Sequence, residues 1–290
     1  MELVQVGERT YYIKNPTNIG IYKLNDKEVY LIDAGNDKDA GRKILKICDA
    51  QGWTVKCIIA THSNADHIGG CKFIQDRAKC PVYAHGAERS FTEFPILEPS
   101  FLYGANPIKE LQNKFLMAKG CEVTELEGNL PEGLELISLK GHYFDMVGVK
   151  TVDGVCFLAD SLFSAETIEK YHLFFIYDVR DYLGTLDMLA GLEGRLFIPS
   201  HCEAAEDISA LIERNREKVL EVAEKIYSFC AGGNCFEDIL KAVFDEYSLA
   251  MNPGQYVLIG STVRSYLTYL YEDERVGFEF RDNKMYWLQK

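Results

Sequence analysis

No stretch of the 290-residue chain approaches the roughly 18 consecutive apolar residues that a membrane-spanning helix needs. Polar and charged residues are spread through the first fifteen positions, which lack the apolar core of a secretory signal. The cytoplasm is therefore the expected location. Basic residues are the minority charge: 31 Lys+Arg stand against 44 Asp+Glu, a formal net charge of −13. No basic run is present, so a partner that is nucleic acid or an anionic membrane surface is not expected. There is no internal repeat and no low-complexity tract. Hydrophobic residues make up 47% and charged residues 26%, which fits a globular chain and not extended disorder. At about 100–200 residues per domain, the length allows one large domain or two smaller ones.

Cysteine, by contrast, is plentiful. The nine cysteines are an odd number, and several lie inside apolar runs, such as Cys57 in 55–60 and Cys156 in 155–159. They read as small buried hydrophobes in a reducing compartment. Cys230 and Cys235 have no second pair nearby to complete a structural zinc site.

Strands are expected at 11–13, 19–22 and 29–32, then a helix over 40–51 and a strand over 57–60. A helix at 71–76 and a strand at 82–84 continue an α/β alternation. Residues 86–120, rich in aromatics and proline, read as an ordered but irregular segment of the kind that covers clefts, or as an ordinary packed loop. Strands return at 134–139, 147–152 and 155–159, the last two joined by the turn Asp153-Gly154. A helix is expected at 182–190 and a strand at 196–198. Beyond about residue 205 the pattern becomes three helices, 213–229, 236–247 and 256–271, and a hairpin, 276–280 with 285–288. That order has the outline of a winged-helix module.

Only six histidines are present, and four of them follow strand ends. His62 and His67 follow 57–60, His142 follows 134–139, and His201 follows 196–198. Asp160 follows 155–159. Loops after strand ends are where α/β folds gather functional groups. The densest piece is Thr61-His62-Ser63-Asn64-Ala65-Asp66-His67-Ile68-Gly69-Gly70. A lone histidine is more often packed or exposed than a ligand. Two histidines and an aspartate within six residues, in types that bind zinc, iron or manganese, point to metal. Offsets of 0, 2, 4 and 5 do not share a helix face, so a tight loop at a helix start must fan them out. Gly69-Gly70 would then permit close backbone packing.

His62-Ser63-Asn64-Ala65-Asp66-His67 resembles the His-x-His-x-Asp-His signature of the metallo-β-lactamase superfamily. Leu31–Gly35, Gly141-His142, Leu158–Asp160 and Pro199–His201 resemble its other motifs, in order, across about residues 1–205. The resemblance implies a four-layer αβ/βα sandwich as a catalytic domain, 1–205, with 206–290 as a winged-helix-like module. It implies one ion at His62, Asn64 and His142, a second at Asp66, His67 and His201, and Asp160 bridging them. Such ions polarise a scissile group and lower the pKa of water. Asp66 would orient that water or take its proton.

Asn64 stands where the family has a second histidine. It is then a weaker metal ligand, a hydrogen-bonding partner of water or substrate, or the mark of a degenerate site. Asp33 would orient a metal ligand from behind. His85 would line the cleft or serve structure. Tyr143 would reach substrate or have an ordinary surface role. His172, in an aromatic patch, reads as a packing residue. The implied function is a zinc-dependent hydrolase, with iron or manganese as other metals, acting on a small ester, thioester, lactone or similar molecule. The alternatives are an iron-dependent oxidoreductase of the same fold and a non-catalytic binding protein. The tail, whose hairpin mixes both charges, reads as structural or dimerising.

Overall fold

A computed structural model describes residues 1–290. The chain opens with an antiparallel meander, β1 (Glu2–Gln5), β2 (Thr10–Lys14), β3 (Ile19–Lys23) and β4 (Glu28–Ile32). Helix α1 (Lys38–Ala50) starts at Asp37, whose carboxylate accepts from the Asp39 and Ala40 amides. It leads to β5 (Thr54–Ile59), parallel to β4. The short α2 (Ala65–Ile68) and α3 (Cys71–Ala78) connect to β6 (Val82–Ala84). Helices α4 (Ala87–Glu93) and α5 (Leu97–Tyr103) precede β7 (Val123–Glu125). Strands β1 to β7 lie side by side in sequence order, parallel from β4 onward.

A second sheet holds β8 (Leu134–Ser138), β9 (Val147–Thr151), β10 (Val155–Phe157) and β11 (Leu196–Ile198) in the order β11-β10-β9-β8. Between β10 and β11 run α6 (Ala165–Tyr171) and α7 (Val179–Ala190). The chain ends with α8 (Ser209–Phe229), β12 (Asn234–Cys235), α9 (Phe236–Glu246), α10 (Pro253–Glu272), β13 (Val276–Arg281) and β14 (Lys284–Gln289). The last three strands pair antiparallel as β12-β14-β13.

The alternation of strand side chains sorts the core into layers. On β4, Leu31 packs in a core with Ile44 of α1 and Ile74 of α3. Its neighbours Tyr30 and Ile32 join Val149, Phe157 and Ile198 of the other sheet. On β10, Val155 and Phe157 share that inter-sheet core, while Cys156 belongs to the core that holds Leu186 of α7 and Val219 of α8. The order is therefore helices, sheet, sheet, helices: the four-layer αβ/βα sandwich. The outer core is the largest, with 35 buried residues running from Ile137 to Val276. It takes side chains from α7, α8, α9 and α10 alike, and each buried Leu, Ile or Val adds about 1.5–3 kcal/mol.

Several boundaries differ from those expected. The strand expected over 155–159 stops at Phe157, because Ala159 takes φ +47, in the left-handed region. Residues 86–120 are irregular only in part: they hold α4, α5 and a 3-10 turn at Lys109–Leu111, while 104–108 and 112–120 carry no regular element. Each helix is seven residues long, too short for a 3.6-residue period to show. Strand β1 was hidden in the polar N-terminal stretch, as an edge strand with half-exposed side chains. All nine cysteines are free, and only Cys202 and Cys235 are partly exposed. His172 stacks on Tyr247 with ring centroids 5.0 Å apart, the packing role expected of it.

Candidate metal centre

The parallel strands β4 and β5 of one sheet, and β8, β10 and β11 of the other, end along one edge of the sandwich. The loops after them carry Asp33, the 61–67 segment, His142, Asp160 and His201. The 61–67 loop is fixed by Gly69 and Gly70. A Cβ on Gly70 would come within 2.2 Å of the Ala34 carbonyl oxygen, and one on Gly69 within 2.3 Å of the Asn36 backbone. This close approach turns the chain sharply into α2, so that Asn64, Asp66 and His67 spread in different directions.

Four histidines present the same nitrogen to one point. His67 Nδ1 donates to Asp33 Oδ2 at 2.8 Å. His142 Nδ1 donates to the Phe175 carbonyl at 2.9 Å, and His201 Nδ1 to the Pro16 carbonyl at 2.8 Å. His62 Nδ1 lies 3.1 Å from the Thr61 hydroxyl, which itself donates to Asp33 Oδ2. Each Nδ1 is thus committed, and each Nε2 faces inward, the usual arrangement behind a metal-ligating histidine.

The inward atoms are close together. His67 Nε2 lies 3.1 Å from Asp160 Oδ1 and 3.7 Å from Asp66 Oδ2. His201 Nε2 lies 3.3 Å from both Asp66 Oδ2 and Asp160 Oδ2. His142 Nε2 is 3.7 Å from Asp160 Oδ2 and 3.1 Å from Asn64 Oδ1. Two overlapping groups, His62–His67–Asp160 and Asp66–His67–His201, have ligand atoms close enough to share a cation. His62 Nε2 is buried with no hydrogen-bond partner, and His67 Nε2 and Asp160 Oδ1, also buried, have none but each other. Unpaired buried polar atoms are costly, so their convergence fits an ion between them.

The electrostatics agree. Burial alone lowers the pKa of His67, but Asp160, Asp66 and Asp33 outweigh it and hold the ring well above its ordinary value. Burial opposes charge on His201 too, yet Asp160 and Asp66 push it up to about 10. His62, deeper and beside His67, is held well below its ordinary value, by burial first. His142 is also lowered by burial. Burial would raise the pKa values of Asp66 and Asp160; the histidines reverse this and keep both well below the carboxylate range. The carboxylates demand positive charge here, either as protons on His67 and His201 or as a cation in their place.

Asp33 has no contact with the centre except through His67 and Thr61, whose amide and hydroxyl it also accepts at 2.8 and 2.9 Å. Its φ of +67 is a strained value for a non-glycine residue, of the sort retained at functional sites. Tyr143 is fully buried against the His62 ring, and its hydroxyl has no partner. His85 stands apart, 3.3 Å from Glu125.

Besides the Phe175 carbonyl behind His142, sequence reasoning missed four contributors. Thr17 donates to Asp66 Oδ2 at 3.0 Å, and the Pro16 carbonyl orients His201. Glu88 and Glu98, on α4 and α5, are buried behind the 61–67 loop. Glu88 accepts from the Ser63 amide and hydroxyl and from the Asp145 amide, and burial raises its pKa to about 7. Glu98 accepts from Asn64 Nδ2 at 2.8 Å, and burial raises its pKa well above the ordinary value.

The centre opens on one side only. The side chains of Asp66 and His201 are 41% and 25% exposed, whereas those of His62 and His67 are fully buried. His201 borders a cavity of about 530 Å³ with apolar walls from Phe163, Phe174, Phe175, Leu258 and Ile259. The last two come from α10, so the C-terminal region forms part of the wall.

The four-layer sandwich is a fold that solved structures share. A β-lactamase domain protein from Burkholderia ambifaria matches with a TM-score of 0.75 at 15% identity, covering 100% of this chain and 94% of that one. A metallo-beta-lactamase family protein from Thermus thermophilus matches with a TM-score of 0.70 at 18% identity, covering 100% and 98%. Residues 13–201 match the metallo-beta-lactamase superfamily, and the chain belongs to it. Among curated relatives, a hydroxyacylglutathione hydrolase from Nitrobacter hamburgensis is 30% identical over 132 residues, 45% of this chain and 43% of that protein. A probable metallo-hydrolase, YqgX, from Bacillus subtilis is 26% identical over 125 residues, 42% of this chain and 54% of that protein. The chain thus spans about half the length of the curated relatives it matches. No helix is long and apolar enough to cross a membrane.

Proposed function

We propose that the chain is a metal-dependent hydrolase of a small ester, thioester, lactone or related compound, working with zinc, or with iron or manganese in its place. The observation that carries this reading is the convergence of four Nε2 atoms on Asp160 and Asp66, with every Nδ1 committed behind them. In this reading His62, Asn64 and His142 hold one ion, Asp66, His67 and His201 the other, and Asp160 bridges. Ions held there would supply Lewis acidity, polarising the scissile carbonyl and lowering the pKa of water.

The protein's own groups do the rest. Asp66, ionised and on the open side, accepts the proton of the attacking water. Thr17 and His201 hold its carboxylate in place. Asp33 keeps the His67 ring oriented, and Tyr143 backs His62. His85 stays with Glu125 and takes no step. The cavity beside His201, lined by apolar side chains such as Phe174 and Ile259 and by polar ones such as Glu166, Thr167 and Lys170, receives one arm of the substrate.

We further propose that residues 206–290 form a winged-helix-like module on a catalytic domain of 1–205. The order helix, strand, two helices, hairpin supports this. The hairpin mixes Arg281 and Lys284 with Glu279 and Asp282, which suits no nucleic acid. The exposed rings of Tyr271, Phe278 and Phe280 support a homodimer through this face, which the mass in solution tests. Nine free thiols suit the cytoplasm.

The test is the metal content of the isolated protein together with a panel of ester, thioester, lactone and phosphodiester substrates. Zinc at two ions per chain with hydrolysis of a carbonyl substrate is the expected result. Iron with oxygen uptake would replace hydrolysis by redox chemistry. An inert panel with substoichiometric metal would leave a binding protein.

A further inference from the structure

Asn64 Oδ1 and His142 Nε2 lie 3.1 Å apart. His142 uses its Nδ1 proton on the Phe175 carbonyl, so Nε2 offers a lone pair. Asn64 uses its Nδ2 on Glu98, so Oδ1 offers lone pairs as well. Two acceptors therefore face each other with no proton between them. His62 Nε2, buried and unpartnered, is the third lone pair of the group, its ring 5.2 Å from that of His142. Three such donors fit a cation.

Which atom of the amide faces the histidines is decided elsewhere. Flipped by 180°, Asn64 would donate Nδ2–H to His142 Nε2, satisfying both groups and blocking the ion's place. The flip is opposed by one contact, the 2.8 Å hydrogen bond to Glu98 Oε1, an oxygen that accepts whether the carboxyl is ionised or carries a proton on Oε2. Glu98 is 5% exposed and sits on α5, so it is held against the loop from behind.

We propose that Glu98 is the positioning residue that makes Asn64 a metal ligand. By accepting the amide protons it turns Oδ1 toward His62 and His142. The pair Asn64–Glu98 then supplies what the second histidine of the family signature supplies elsewhere. The proposal rests on the metal-binding reading of the centre, not on the reaction.

The test counts ions. Metal-free protein is titrated with Zn²⁺ by calorimetry and checked by elemental analysis, with circular dichroism reporting the fold. The wild-type chain binds two ions. Glu98→Leu binds the ion of the His62 half about 10–100-fold more weakly and the other unchanged. Asn64→His in the Glu98→Leu background needs no amide orientation and regains the lost ion. Two ions at wild-type affinity in Glu98→Leu overturn the proposal. So do a wild-type chain that binds one ion, and a double variant that fails to regain its second. A wild-type chain that binds two ions and hydrolyses nothing removes the hydrolase reading, while the ion counts of the variants still judge Glu98.

Discussion

The two halves of the centre are built on different plans. Around Asp66, His67 and His201, charge is paired directly: imidazoles meet carboxylates at 3.1–3.7 Å, with Asp33 behind. This half is partly open to solvent. Around His62, Asn64 and His142 the ligand atoms are neutral, the two histidines are buried and Asn64 is partly so, and glutamates on α4 and α5 support the loop that carries His62 and Asn64. One half attracts a cation by charge, the other by arranged lone pairs. The open half can handle protons and substrate, while the closed half can only hold an ion. Asp160 is common to both, with Oδ1 3.1 Å from His67 and Oδ2 3.3 Å from His201 and 3.7 Å from His142.

The comparison can be broken at its shared member first. Asp160→Ala should empty both halves, seen as fewer than one zinc per chain by elemental analysis and loss of all hydrolysis. Retention of two ions would show that Asp160 bridges nothing. Asp66→Asn should lower kcat by about 10²–10⁴-fold, the scale of a lost general base. Because the change lies in the open half, ion binding at the His62 half should persist in the same sample.

The closed half has its own signature in pH. Glu88 has an ordinary pKa of 4.5 and is raised to about 7 by burial. A raised acid favours the folded state while protonated. Its contribution is fully present below pH 4.5 and is lost as pH rises toward 7, about 3 kcal/mol in all. Chemical denaturation of wild type and Glu88→Gln across that window reads the difference. The wild type should lose stability relative to the variant as pH rises, and parallel curves would exclude the mechanism.

Asp33→Asn should weaken the His67 ion most, by about 10–100-fold in zinc affinity measured by calorimetry, and the His62 ion less, through Thr61. The smallest effect belongs to the cavity wall. Ile259→Ala should raise KM by about tenfold for substrates with an apolar arm and leave kcat alone. An unchanged KM would place the substrate elsewhere.

The difference between the halves also governs what could be read from sequence. His62, Asp66 and His67 fall within six residues, and His142, Asp160 and His201 follow apolar runs, so these residues signal themselves. The sandwich is legible only through the family resemblance: β4 and β10 are almost wholly apolar, and the division of their side chains between two cores appears only in the structure. Glu98 gives no such signal. It meets Asn64 from 34 positions away, on a seven-residue helix, and glutamates on helices are usually solvated. Thr17 and the Phe175 carbonyl act over 49 and 33 positions, and a backbone carbonyl carries no residue type at all. Local clusters reveal ligands, whereas the groups that aim them come from wherever the fold brings them.

The most direct test of the account is a metal add-back on one metal-free preparation, with the hydrolysis rate of a thioester or lactone substrate followed against equivalents of Zn²⁺. The account predicts no turnover without metal and a rate that rises to a plateau at two ions per chain. Turnover that survives metal removal, or that ignores added ions, would contradict it.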